Sequence, residues 1–178
     1  SWDKTTSGGQ LKWKRLTRRL SLDYLNTKTT HWGSYTMPNN LEDGIQDYLD
    51  SKLGNGRVGS GGTVNRMSIY DVDASDGYND IKKSINSGRP VIMLYNANRP
   101  KGELGGNFTK RNHYAVIYGY HDKGNGRSRN KILINGGNGW RDTETVNWKI
   151  GDGRHQHVKL FFVNPKNSTR DMSKQRCL

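Results

Sequence analysis

Two polar residues at the ends of neighbouring apolar runs are the side chains in this chain best suited to chemistry. His113 opens the run of residues 113–120, and Asn135 closes the run of residues 131–135. An imidazole can accept a proton near neutral pH, and it does so in a fixed direction when a hydrogen bond orients its ring. A thiol or hydroxyl becomes a good nucleophile only when such a base removes its proton. The pair therefore predicts half of a catalytic site, a general base and its orienting group.

Short apolar runs separated by polar, glycine-rich segments must position these two side chains. Three such runs lie within residues 84–140, and each is too short for a helix, so we expect three neighbouring core strands. The other predicted elements are helices at residues 10–25, 40–52 and 78–87 and strands at residues 63–72 and 158–163. Asn40 is expected to cap the second helix and Gly54 to end it. The pattern predicts an α+β fold, with a helical N-terminal half packed on an antiparallel β-sheet from the C-terminal half.

The order of three segments within residues 80–163 is similar to that of a known family. Gly-Arg-Pro-Val follows a predicted helix at 88–91, His-Tyr-Ala-Val-Ile-Tyr-Gly-Tyr follows at 113–120, and Ile-Leu-Ile-Asn-Gly-Gly-Asn-Gly-Trp follows at 132–140. This order resembles the second half of papain-like cysteine peptidases, above all the streptopain-like and C39-like groups. The resemblance implies a papain-like fold and a peptide or protein substrate. It also implies His113 as general base, Asn135 as its orienting residue, and Trp140 as a shield of their hydrogen bond from water.

The chain departs from this family at the nucleophile. In the family a cysteine near the start of the domain stands at the head of a helix, whose positive end stabilises a thiolate. The residues at that place here are Ser7, Gly8, Gly9 and Gln10, and the one cysteine of the chain is Cys177. Ser7 is either the position of a replaced cysteine or an ordinary loop serine, and Gln10 is a candidate oxyanion-hole donor. Three explanations stay open: an engineered replacement, a nucleophile upstream of this fragment, or a domain that has exchanged catalysis for binding.

The charge of the chain is strongly positive and unevenly distributed. The net charge is +13. Residues 41–80 carry eight acids against three bases, whereas residues 99–131 carry eight bases against two acids. Lys110 and Arg111 belong to the second group and lie just before the predicted base, where they are candidate binding residues. This layout favours an anionic partner at the site, either an acidic protein or a nucleic acid, although a solubilising surface has the same signature.

A second class of function rests on the same charge. Aromatic and basic side chains are mixed as they are in many nucleic-acid-binding proteins, at Trp13, Lys14, Arg15, Trp32 and Tyr35. The alternative function is therefore a basic nucleic-acid-targeting toxin, with nuclease activity, or a binding module. A third reading is a surface or cell-wall interaction domain without chemistry. Binding that weakens steeply with salt would favour the nucleic-acid reading.

Two further patterns carry no metal or cofactor prediction. A GxGxxG pattern spans residues 54–59, but a predicted helix precedes it and a predicted strand follows it. A phosphate cradle needs the opposite order, because the helix N-terminus binds the phosphate, so we expect a flexible turn. His155 and His157 could share one face of an extended segment, but a metal site needs a third ligand and none is evident. We therefore predict neither a metal nor a cofactor.

A single domain accounts for a chain of 178 residues. We expect this papain-like domain to span residues 1–163, with residues 1–9 as a flexible arm and residues 164–178 as a mobile basic tail. No apolar run approaches the ~20 residues of a membrane span. Ser1 does not begin a signal sequence, which favours a mature or excised fragment. Together with the resemblance, these features predict a bacterial domain, exported or toxin-like, whose catalytic thiol is replaced or missing.

Overall fold

The computed structural model describes residues 20–30, 33–69, 74–96, 112–122, 130–136, 143–148 and 158–166. Helices and an antiparallel sheet of six strands make up an α+β fold, as predicted from the sequence. The chain divides into two compact units, which contain residues 20–64 with 164–166 and residues 65–163. No helix among the described ranges has the length and apolar character needed to cross a membrane.

The first unit contains a π-helical turn, a short hairpin and one long helix. The π-helical turn is Leu20–Tyr24, strands β1 and β2 of the hairpin are Lys28–Thr30 and Gly33–Tyr35, and helix α1 is Pro38–Leu53. No strand was predicted from the sequence where this hairpin forms. The prediction that Asn40 caps α1 is wrong, because the helix begins two residues earlier and Met37 is the N-cap. Pro38 explains the earlier start, since its fixed φ suits the first turn of a helix. The helix ends at Gly54, as predicted.

The glycine-rich segment after α1 folds back onto the helix and encloses an aspartate. Asp50 is buried, with 4% of its surface exposed. Its carboxylate accepts hydrogen bonds from the backbone N–H of Gly61 (2.7 Å) and Gly59 (2.8 Å) and from the Gln46 amide (3.1 Å). These donors, Gly61 first, lower the pKa of Asp50 against the opposing effect of burial. Within the GxGxxG pattern, the backbone N–H of Gly59 therefore donates to a carboxylate of the chain itself, and those of Gly54 and Gly56 donate to the backbone carbonyls of Leu49 and Asp50.

The second unit is built on the six-stranded sheet, whose strand order is β3-β8-β4-β5-β6-β7. The strands are β3 Gly62–Ile69, β4 Val91–Asn96, β5 Asn112–His121, β6 Lys131–Asn135, β7 Thr143–Asn147 and β8 Val158–Pro165. Strand β7 was not predicted, because it is polar apart from Val146. Strand β5 begins at Asn112, so His113 is its second residue and not its first. Strand β8 continues through Pro165, two residues beyond the predicted end of the domain.

Helix α2, Ala74–Asn86, packs on one face of the sheet and closes the core. Ile81 of the helix and Ile117 of β5 are both fully buried in the same apolar cluster. The Tyr78 hydroxyl donates to Asp122 at the end of β5 (2.8 Å), and Lys82 donates to the other oxygen of that carboxylate. Burial and Asp122 raise the pKa of Tyr78 well above its ordinary value. These contacts fix the helix against the strands that carry the predicted base.

Candidate active site

His113 projects from the face of β5 that forms the core. The backbone pairs His113 with Tyr95 of β4, and side chains directly opposite each other in a ladder lie on the same face. Ala115 and Ile117, two and four residues further on, are buried on this face. The imidazole is half-buried, and its ring meets the Tyr95 ring edge-on, with centroids 6.0 Å apart and an interplanar angle of 81°. Tyr95 therefore restricts the rotation of the ring while leaving it partly open to solvent.

One ring nitrogen of His113 is held by the backbone at the end of the neighbouring strand. Nε2 lies 2.5 Å from the carbonyl oxygen of Gly136. A carbonyl oxygen can only accept a hydrogen bond, so Nε2 carries the proton and donates it. In the neutral imidazole, Nδ1 then has a lone pair and can act as a base. The arrangement holds the imidazole in one orientation, as a general base would require, and the role of His113 as the base stays a prediction.

The backbone register places Asn135 differently from the prediction. Asn135 is the last residue of β6, as expected, but it lies opposite Val116. Val116 belongs to the outer face of β5 and is 39% exposed, whereas the neighbouring pair Ile117 and Ile134 is buried on the core face. By this alternation, Asn135 lies on the face of the sheet opposite to that of His113. A catalytic role for Asn135 stays a prediction.

The remaining predicted site residues lie outside the described ranges. They are Ser7, Gln10, Lys110, Arg111 and Trp140, and the same holds for Cys177, His155 and His157. Their roles as nucleophile position, oxyanion donor, binding residues and shield stay predictions. Among the described ranges, no three His, Cys, Asp or Glu side chains are grouped as a metal ion would require.

Gly136 is the site residue that sequence reasoning missed. It carries no functional side chain, so a search for chemically active residue types passes over it. The signal that could have found it is the two-residue period of β6, in which Ile132 and Ile134 are buried and residue 136 continues the same face. That signal becomes decisive only once the pairing between β5 and β6 is known.

The α+β fold agrees with the sequence resemblance, and a family match shows that the domain is related to papain-like cysteine peptidases, as that resemblance predicted. Residues 23–149 match the family model described as the Peptidase_C39 like family. This range covers most of the chain and includes the three strands around His113, so the chain belongs to that family. No curated protein and no solved structure matches the chain.

Proposed function

We propose that this domain is an inactive member of its peptidase family, which retains the base His113 and recognises peptide or protein without cleaving it. The contact between His113 Nε2 and the Gly136 carbonyl supports the proposal that the base is retained, because it orients the imidazole as a general base requires. Within residues 1–178, no cysteine lies in or before the range that matches the family, which limits the chemistry of this stretch. Cys177 is the only cysteine, and it lies beyond residues 23–149, which match the family model.

The retained base has a defined part in the chemistry of an active relative. Nδ1 would remove the proton of a thiol, the thiolate would attack the carbonyl carbon of the scissile peptide, and the imidazolium would return the proton to the leaving amine. The Nε2–H bond to a fixed acceptor would keep the ring aimed during both transfers. A serine hydroxyl, such as that of Ser7, is a weaker nucleophile than a thiolate, so we expect little hydrolysis from a serine in a site built for a thiol.

A cysteine scan tests the proposal. We expect the chain as it stands to release no product from peptide or isopeptide substrates. Ser7→Cys and Gln10→Cys, with cysteine also placed at residues 8 and 9, would show whether the base can still serve a nucleophile. Each active variant would be paired with His113→Ala, which must abolish turnover if His113 is the base. Turnover by the unmodified chain would contradict the proposal, whereas no turnover in any variant would favour a domain that has exchanged catalysis for binding.

The proposal also includes an acidic binding partner and a role outside the cell that makes the protein. The net charge of +13 supports a partner with acidic groups, such as an acidic protein, at a basic surface of an exported or toxin-like bacterial protein. A titration with an acidic and a neutral peptide of equal length would show stronger binding of the acidic one, and the difference would shrink as salt is raised. Steeper salt dependence with RNA or DNA, together with nuclease activity lost in His113→Ala, would favour the alternative function instead.

A further inference from the structure

We infer that the main-chain carbonyl of Gly136, and not the side chain of Asn135, is the positioning group for His113. This inference rests on the proposed role of His113 as the base. It differs from the pattern implied by the family resemblance, in which an amide or carboxylate side chain orients the imidazole. Here a backbone atom takes that place.

The register of the sheet is the first support. The backbone pairing between β5 and β6 ends with Val116 opposite Asn135, and that between β6 and β7 ends with Asn135 opposite Thr143. Gly136 is the next residue, so its carbonyl lies just past the last paired position on both sides of β6. A carbonyl that leaves a ladder and is buried needs a donor, and Gly136 is buried. The Nε2–H of His113 supplies it.

The alternation of side chains is the second support. Residue 136 continues the face of Ile134, which is opposite Ile117, and His113 belongs to this same face of β5. Asn135 is one residue earlier and shares its face with Val116. A slip of one residue in a strand exchanges the two faces, so a carboxamide at position 135 is directed away from the core face. Within the described part of β6 and the residue that follows it, position 136 continues the His113 face, and glycine has no side-chain acceptor.

A backbone acceptor makes the orientation of the base independent of the side chain at position 135. Substitution of Asn135 should therefore leave the His113 ring as it is. In a domain where the asparagine side chain were the acceptor, the same substitution would free Nε2–H. The two arrangements thus differ in whether the Nε2 proton of His113 stays hydrogen-bonded when Asn135 is replaced. This difference can be observed without any catalysis.

Through-hydrogen-bond NMR coupling tests the inference directly. The sample is the full chain with ¹⁵N in the histidine rings and ¹³C at the glycine carbonyls, and a second sample carries ¹³C at the asparagine side-chain carbonyls. We expect a correlation from His113 Nε2 to the Gly136 carbonyl carbon. A correlation to the Asn135 side-chain carbon, or none to Gly136, would overturn the inference.

Solvent exchange of the Nε2 proton gives a second readout. We expect Asn135→Ala to leave the exchange rate within about twofold of that of the unmodified chain. Loss of a hydrogen bond would make it roughly fivefold faster, and that result would overturn the inference. Asn147→Ala is the matched control, because Asn147 is likewise a half-buried asparagine at the last position of a strand of this sheet. The cysteine scan stays a separate test, since a chain without turnover can still show the coupling to Gly136, and a variant with turnover can lack that coupling if another group orients the ring.

Discussion

Replacement of Gly61 by alanine tests whether the glycine-rich loop is a structural element closed around Asp50. A Cβ at position 61 would overlap the carbonyl oxygen of Leu49 and would lie 2.6 Å from the backbone nitrogen of Asp50. Both neighbours are backbone atoms of helix α1, and ordinary contact begins at 3.4 Å. The loop must therefore move by more than about 0.8 Å, because the Leu49 oxygen is closer still, and the hydrogen bond from Gly61 to Asp50 is disturbed as it moves.

The expected cost is that of overpacking against atoms that cannot rotate away. Such changes destabilise proteins by about 1–3 kcal/mol. For a chain of this size, about 1 kcal/mol lowers the thermal midpoint by roughly 2–4 °C, so the midpoint should fall by roughly 2–12 °C. Urea unfolding should show a lower midpoint with an unchanged m-value, because the surface exposed on unfolding is the same.

The matched control is Gly119→Ala in strand β5. A Cβ there would lie 3.6 Å from Leu133, which is ordinary contact, so the variant should equal or slightly exceed the unmodified chain in stability. Equal stability of the Gly61→Ala and Gly119→Ala variants would refute the description of the loop.

Three further predictions concern stability and its dependence on pH. Hydrogen bonds lower the pKa of Asp50, so the stability that its carboxylate gives to the folded state is lost as pH falls below 3.8. In urea titrations, Asp50→Asn should be less stable than the unmodified chain at pH 7. The variant should also lose part of this dependence of stability on acid pH. Burial raises the pKa of Tyr114 to about 12, against a smaller opposite effect of Arg66, so stability should fall as pH rises from 10 towards 12. Tyr114→Phe should flatten that fall in a thermal melt series, and an unchanged slope would contradict it. Phe161 is fully buried, so Phe161→Ala should cost about 3–5 kcal/mol in urea unfolding, and a loss below about 1 kcal/mol would contradict its place in the core.

Local signals predicted the parts of the fold that are determined by neighbouring residues. The apolar spacing of α1 and the stop at Gly54 are of this kind, and so is the strand that carries His113. The context argument against a nucleotide loop is of the same kind, because it needs only the order of helix, glycine run and strand. The prediction of a flexible turn missed Asp50, since no local pattern shows that a helix residue will accept hydrogen bonds from a loop nine to eleven residues later.

The pairing of the strands determines two features that could not be predicted from the sequence, the presence of strand β7 and the group that orients His113. Strand β7 has one buried residue, Val146, and exists because β6 supplies its hydrogen-bond partners. The choice between Asn135 and Gly136 depends on a register fixed by Val116, which is about twenty residues earlier in the chain. Residue type favoured Asn135 as the group that orients His113, because its side chain can accept a hydrogen bond. The alternation of faces selected the glycine, and a glycine can act only through its backbone.

The positions of the protons on the two ring nitrogens of His113 decide whether Nδ1 is available as a base. In ¹⁵N-detected ring correlations of the neutral imidazole, we expect a proton on Nε2 and a bare lone pair on Nδ1, because the Gly136 carbonyl can only accept. A proton on Nδ1 with Nε2 bare would contradict this expectation, since the carbonyl would then face a second acceptor and the nitrogen assigned as the base could not take a proton.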